Sequence, residues 1–159
     1  MTPELKKRLA GAGVGSIALA VAIVGYFEGT ETKPYLDPIG IPTVCTGHTG
    51  NVNMMRTYSK TECDTLLAGD LGSAFKAVDK CVHVPISDAT KASLASFTFN
   101  VGGGAFCRSS VARRINAGDG PSACDNLLLF VYAGGKKMTG LVNRRKAERE
   151  LCIAGFAEK

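Results

Sequence analysis

The chain holds six cysteines but no Cys-x-x-Cys pair. Zinc ribbons and fingers need thiolates at that short spacing, so no metal is expected, and no cofactor is called for. Histidine is scarce, with only His48 and His83. A nucleophilic thiol needs a histidine base, and His48, three residues along a strand from Cys45, would lie on the opposite face from it. That argues against cysteine-based catalysis. Repeats and low-complexity runs are absent, which removes solenoids and long unstructured linkers. With 159 residues there is room for one domain with a proper core and not for two comfortable ones. The most informative absence is of charge: nineteen consecutive residues, Leu9 to Phe27, carry none.

Lys6, Lys7 and Arg8 precede that run, and a positive flank ahead of an apolar stretch predicts a cytoplasmic amino terminus with the rest of the chain exported. As a single helix the run would reach roughly 29 Å at about 1.5 Å per residue, close to the roughly 30 Å of bilayer hydrocarbon. Its hydrophobicity is weak, because Gly11, Gly13, Gly15, Gly25, five alanines and Ser16 dilute the large apolar side chains. Three readings stay open. A cleaved signal peptide would use small-residue sites at Ala18-Leu19-Ala20 or Ala20-Val21-Ala22. A stable anchor would use the Gly11 and Gly15 pair for close helix contact. The third is a signal-anchor able to leave the bilayer. Val14, Ile17, Val21 and Val24 recur at helical spacing and predict a bulky stripe that packs on a soluble core, with Gly15, Ala18, Ala22 and Gly25 forming a small-residue side. Behind an export signal, the even number of cysteines predicts three disulfides in an oxidising compartment. A net charge of +5 favours an anionic partner, which charge alone leaves as nucleic acid, lipid headgroups or wall polymer.

Residues 29–60 are rich in Gly, Pro, Thr and Asn and read as short antiparallel strands with turns at Asp37-Pro38 and Ile39-Gly40. From Ser59 the pattern becomes helical. Ser59 or Thr61 can cap a helix carrying Cys63, Leu66, Leu67 and Leu71, and Ser87 or Asp88 can cap one running through Phe99 until Gly102 to Gly104 stop it. Further helices are expected at 109–116, 122–132 and 141–156, the last with Lys and Arg alternating with Glu on its exposed side. The expected class is α+β, a small antiparallel sheet lobe and a larger helical lobe with a cleft between them.

Glu28 follows directly on the uncharged run, Asp37 stands nine positions later and Thr43 six beyond that. A carboxylate ending a helix and another in a hairpin can face each other across a cleft, with the threonine holding a water between them. Glycoside hydrolysis commonly requires such a pair, an acid that protonates the leaving oxygen and a carboxylate on the other side of the sugar ring. Tyr26 and Phe27 are expected to desolvate Glu28 and favour its protonated form, whereas Asp37 in a polar turn should carry charge. On spacing alone, solvated surface charge is the stronger reading.

The run EGTETKPYLDPIGIPTVCTGHTG, residues 28–50, resembles the active-site segment of the phage-type lysozymes, glycoside hydrolase family 24. Glu28, Asp37, Thr43 and the closing Gly47-His48 match the family pattern without a gap. The resemblance implies a mainly helical lysozyme-like fold, Glu28 as general acid, and Asp37 and Thr43 positioning or activating water. With water between them the carboxyls would stand roughly 6.5 to 9.5 Å apart, and the anomeric carbon would invert. Asp70 falls where the family has an acidic partner for its motif histidine, so a His48–Asp70 ion pair is expected. Asn100, in the stretch Phe99 to Gly102, resembles an amide that faces the cleft, and either binds glycan or caps its own helix. Arg144 and Arg145, in TGLVNRR, either meet peptidoglycan carboxylates or belong to a solvated helix face.

The apolar run and the cysteines depart from the familiar soluble members and resemble the signal-arrest-release subgroup, endolysins exported by the host and held inactive in its membrane. Residues 9–27 lack cysteine, so the resemblance is to the branch in which escape and refolding of the segment assemble the active site. It implies a release segment at 1–27 and a catalytic domain at 28–159. The implied partners are peptidoglycan, the host inner membrane and its secretion machinery, not nucleic acid. The implied location is the inner membrane first and the periplasm after release, with a monomeric active form. From the expected His48–Asp70 contact, Cys45 and Cys63 are each about 10 Å back along their elements. Cys45–Cys63 then becomes plausible, with Cys124–Cys152 tying the last helices and Cys81–Cys107 remaining, among fifteen possible pairings. Two other functions fit the same features, an anchored non-enzymatic peptidoglycan-binding module and a lytic transglycosylase.

Overall fold

The computed structural model describes residues 1–157. The uncharged run does not form one helix. Helix α1 spans Pro3–Gly11, with Thr2 Oγ1 accepting from the Leu5 amide as its cap, and α2 spans Ser16–Glu28. Between them Gly13 (φ +88°) and Gly15 (φ +103°) adopt a conformation that L side chains rarely take, so the chain reverses and α1 folds back on α2. The 13 residues of α2 reach only about 20 Å at ~1.5 Å each. Among the described residues no helix is long and apolar enough to cross a membrane.

The break also overturns the expected stripe. Val14 lies in the turn and is 99% exposed, Ile17 is 55% exposed, and of the four stripe residues only Val24 is fully buried. The face that packs is Ala20, Ile23 and Val24, against Leu67, Leu71, Ala92, Ala95, Ala147 and Leu151. The small-residue side does stay open. Ala18, Val21, Ala22 and Gly25 line a groove of about 890 Å³ between α1, α2 and the helix that begins at Lys60. Leu5, ahead of the apolar run, is completely buried in the same cluster. Lys6 and the Met1 amino group both meet Glu150, and Tyr26 Oη lies 3.0 Å from Thr2 Oγ1.

After α2 come β1 (Glu31–Leu36), β2 (Pro42–Cys45) and β3 (His48–Thr49), an antiparallel sheet in sequence order. Tyr35 pairs with Thr43 and Glu31 with Cys45, so β1 is bulged between these pairs. Val44, Cys45, Tyr58 and Cys63 form the small core of this lobe. Ser59 caps α3 (Lys60–Asp70) with a full capping box to Glu62, as the sequence leads one to expect. Leu71 belongs to a kink and not to α3; α4 (Gly72–Cys81) follows it.

Helix α5 (Asp88–Val101) is the axis of the helical lobe, with Thr90 and all of residues 92–98 buried. Being covered on every side, it shows no amphipathic pattern. Gly102 ends it, but the glycines do not end helical structure, since α6 (Gly103–Cys107) and α7 (Ser110–Asn116) follow. Helix α8 (Gly120–Asn126) starts earlier than expected, with Pro121 in its first turn, and ends in a 3-10 turn at Leu127–Leu129. Tyr132–Ala133 is β4, paired with β5 (Lys136–Lys137) across Gly134-Gly135, a hairpin in place of the expected helix end. Helix α9 (Thr139–Ala157) closes against α5. Hydroxyls zip the two together: Thr90 Oγ1 donates to Cys152 O (3.1 Å) and Ser93 Oγ to Glu148 O (2.6 Å). At the end of this seam a Cβ on Gly155 would lie 2.0 Å from Ser87 Oγ. The three disulfides are Cys45–Cys63, Cys81–Cys107 and Cys124–Cys152, the pairs anticipated above.

Leu5→Ala is expected to lower stability by about 2–5 kcal/mol, as for other buried leucines. Val14→Ala, in the exposed turn, should stay within about 0.5 kcal/mol. Urea unfolding of the oxidised protein measures both, and equal effects would show that α1 is not part of the folded core. Gly155→Ala should cost about 1–3 kcal/mol by overpacking the α5–α9 seam, read in the same experiment.

Candidate active site

Glu28 is the last residue of α2, and its side chain is about one-third exposed (35%). The expected desolvation by Tyr26 and Phe27 is not its main environment. Oε1 accepts from Arg144 Nη1 at 2.5 Å, across 116 residues of sequence. Among the described residues Oε2 makes no hydrogen bond, so one oxygen is fixed and the other is available. The guanidinium also lies over the Phe27 ring, 5.9 Å from its centroid.

Asp37 and Thr43 sit together on the β1–β2 hairpin and are both tied to Ile41. Asp37 Oδ1 accepts from the amides of Ile39 and Ile41, each at 2.9 Å, while Thr43 Oγ1 donates to Ile41 O at 2.9 Å. The turn at Asp37 thus fixes Oδ1 and leaves Oδ2 without a partner among the described residues. Thr43 is 4% exposed. Because its proton is already given to Ile41, its oxygen can serve only as an acceptor for a further group. A carboxylate oxygen and a hydroxyl oxygen that both accept are what is needed to grip the two protons of one water.

The expected His48–Asp70 pair is present, with Nδ1 2.8 Å from Asp70 Oδ2 and Nε2 3.2 Å from Gly50 O. It joins β3 to the last residue of α3, and the neighbouring Cys45–Cys63 bridge joins β2 to the same helix. Sheet and helix are therefore fastened on both sides of the hairpin that carries Asp37 and Thr43.

Arg144 and Arg145 require correction. Neither arginine belongs to a solvated face or is free to meet a wall carboxylate: Arg144 is 4% exposed and Arg145 fully buried. Asn100 is exposed, but its Oδ1 accepts from Arg145 Nη2. The reason is Glu148, also fully buried, which the sequence analysis did not single out. Its Oε1 accepts from Arg144 Nε (3.1 Å) and Ser96 Oγ (2.7 Å), and its Oε2 accepts from Arg145 Nη1. Burial pulls the Arg145 guanidinium below its usual range, and the charge of Glu148 opposes that shift. A signal was available: Glu148 lies three and four positions beyond the two arginines, so all three share one face of a helix. Among the described residues no cluster of three or more His, Cys, Asp or Glu is placed to hold a metal.

Comparison with known proteins gives this geometry a context. A SAR-endolysin of Enterobacteria phage PA-2 is 44% identical over 98% of this chain and 99% of its own length. The structure of a P22 lysozyme mutant superposes with a TM-score of 0.79 at 32% identity, covering 84% of this chain and 94% of that one. The active form of the P1 phage endolysin Lyz shares the fold over 98% of this chain and 95% of its own, with a TM-score of 0.73 at 22% identity. The family model for phage lysozyme matches residues 25–148, which take in Glu28, the hairpin, α5 and the Arg144–Glu148 cluster alike, and on that evidence the chain belongs to the phage lysozyme family.

Proposed function

We propose that this lysozyme is a phage endolysin that hydrolyses the β-1,4 bond between N-acetylmuramic acid and N-acetylglucosamine in peptidoglycan. The observation that carries this reading is the complementary use of two carboxyls. Each has one oxygen held by the protein, Glu28 by Arg144 and Asp37 by two hairpin amides, and one oxygen free of protein partners among the described residues. Glu28 gives its proton to the glycosidic oxygen as the bond to the anomeric carbon breaks. Water held by Asp37 and Thr43 attacks the opposite face and passes a proton to Asp37. The products are a free hydroxyl on one sugar and an inverted hemiacetal on the other. No step needs a metal or cofactor.

Before this stage, residues 1–27 hold the exported protein at the inner membrane, with residues 28–159 in the periplasm. In the bilayer, residues 9–27 run as one helix, and Glu28 stands at its end away from Arg144. On release the segment breaks at Gly13 and Gly15, α2 docks on α5 and α9, and Glu28 meets Arg144. Support comes from the weak hydrophobicity of the run, from the burial of Leu5, Ala20, Ile23 and Val24 in the soluble core, and from the SAR-endolysin relative. The released enzyme acts as a monomer.

Glu28→Gln is expected to reduce turnover of purified peptidoglycan by about 10²- to 10⁴-fold without loss of fold. Equal turnover would remove the proposed acid. Mass spectrometry of wild-type products should show reducing ends; anhydro-muramic ends would assign a lytic transglycosylase instead. Replacing Gly13 and Gly15 by Leu adds hydrophobicity and opposes the positive φ that the folded turn requires. The double variant should stay in the membrane fraction and delay lysis, and unchanged release would count against the membrane-to-periplasm route.

A further inference from the structure

The fully buried Glu148 carboxylate contacts both guanidiniums, and these in turn hold Glu28 and Asn100. Arg144 is held at three points: Nε on Glu148 Oε1, Nη2 on Ser96 O at 3.2 Å, and Nη1 on Glu28. A guanidinium is planar and rigid, so the first two contacts fix the direction of the third. Arg145 is held in the same way, with Nη1 on Glu148 Oε2, Nε on Phe130 O at 2.9 Å, and Nη2 on Asn100. Ser96 Oγ completes the shell of Oε1.

We propose that Glu148 is a positioning residue: one carboxylate locks two guanidiniums in a fixed relation and through them aims the Glu28 carboxyl and the Asn100 amide. This rests on the reading of Glu28 as the general acid. Arg144 contacts Glu28 directly, and Glu148 holds both Arg144 and Arg145. The two arginines are balanced by Glu28 and Glu148. Neutralising Glu148 removes the charge that orients the Arg144 guanidinium from behind, opposite its contact with Glu28. Loss of the carboxylate also frees the plane of Arg144, and with it the position of Glu28 Oε1. A merely structural Glu148 would behave differently, because its main-chain contact to Ser93 survives any side-chain change.

Three full-length oxidised variants, Glu148→Gln, Glu148→Asp and Glu28→Gln, decide the matter with kcat and KM on soluble peptidoglycan oligomers, normalised to folded protein. Glu148→Gln should lower kcat by about 10- to 100-fold, the cost of a misplacement of order 1 Å, with KM changed by less than about twofold. Glu148→Asp keeps the charge, so Arg145 is not left unpaired and the variant folds even where the Gln variant does not. Its shorter arm cannot hold both arginines at once, so kcat should fall by about tenfold with KM little changed. Wild-type kcat in folded Glu148→Asp, or in folded Glu148→Gln, overturns the proposal. Full activity of Glu28→Gln would instead sink the general-acid reading, whatever Glu148 does.

Discussion

The contact between Arg144 and Glu28 is the constraint around which this molecule is organised. It joins the end of the second helix to the first turns of the last one, across 116 residues. It can form only if α2 lies against α5 and α9, and that packing depends on small side chains, Ala20, Ala92, Ala95 and Ala147, which let the helices approach. It also requires that a guanidinium be carried into a nearly water-free place. The fold meets that cost with a second carboxylate, Glu148, itself held by Ser96 Oγ, and with the main-chain carbonyl of Ser96. Charges buried in this way add little net stability compared with well-packed apolar groups, but breaking one of them is expensive, so they hold geometry more than they add free energy.

The sheet lobe solves the complementary problem. Asp37 and Thr43 stand on a short hairpin that would be too small to hold its shape alone. The His48–Asp70 contact and the Cys45–Cys63 bridge fasten its strands to α3, and the hairpin's own amides hold Asp37. Each half of the candidate active site is thus fastened within its own lobe.

Much of the site was legible in the sequence because it is local. Glu28, Asp37 and Thr43 fall within sixteen residues, and turn chemistry around Asp37-Pro38 and Ile39-Gly40 announces the hairpin. The His48–Asp70 contact and the three cysteine pairs became legible once a family resemblance supplied the relation between sheet and helix. The α1–α2 turn was not legible, since glycines in an apolar run suit a membrane helix as well as a sharp reversal. The fate of the arginines was misread for a different reason. Arg and Glu are almost always at the surface, and a charged helix face is ordinarily solvated. The hydrogen bonds from Ser93 and Ser96 on α5 to Glu148 on α9 show that this polar face is buried, and they are visible in three dimensions alone.

All three disulfides lie beyond residue 44. Cross-linking therefore covers the scaffold that receives α1 and α2, and leaves these two helices attached by noncovalent contacts and one continuous stretch of chain. In energetic terms the amino-terminal helices are a tethered ligand of an already stapled receptor. Their docking is an intramolecular binding equilibrium, with an effective concentration set by the short chain that joins α2 to the sheet. The occupancy of that equilibrium can be tuned by substitutions in α1 and α2 while the covalent frame stays as it is.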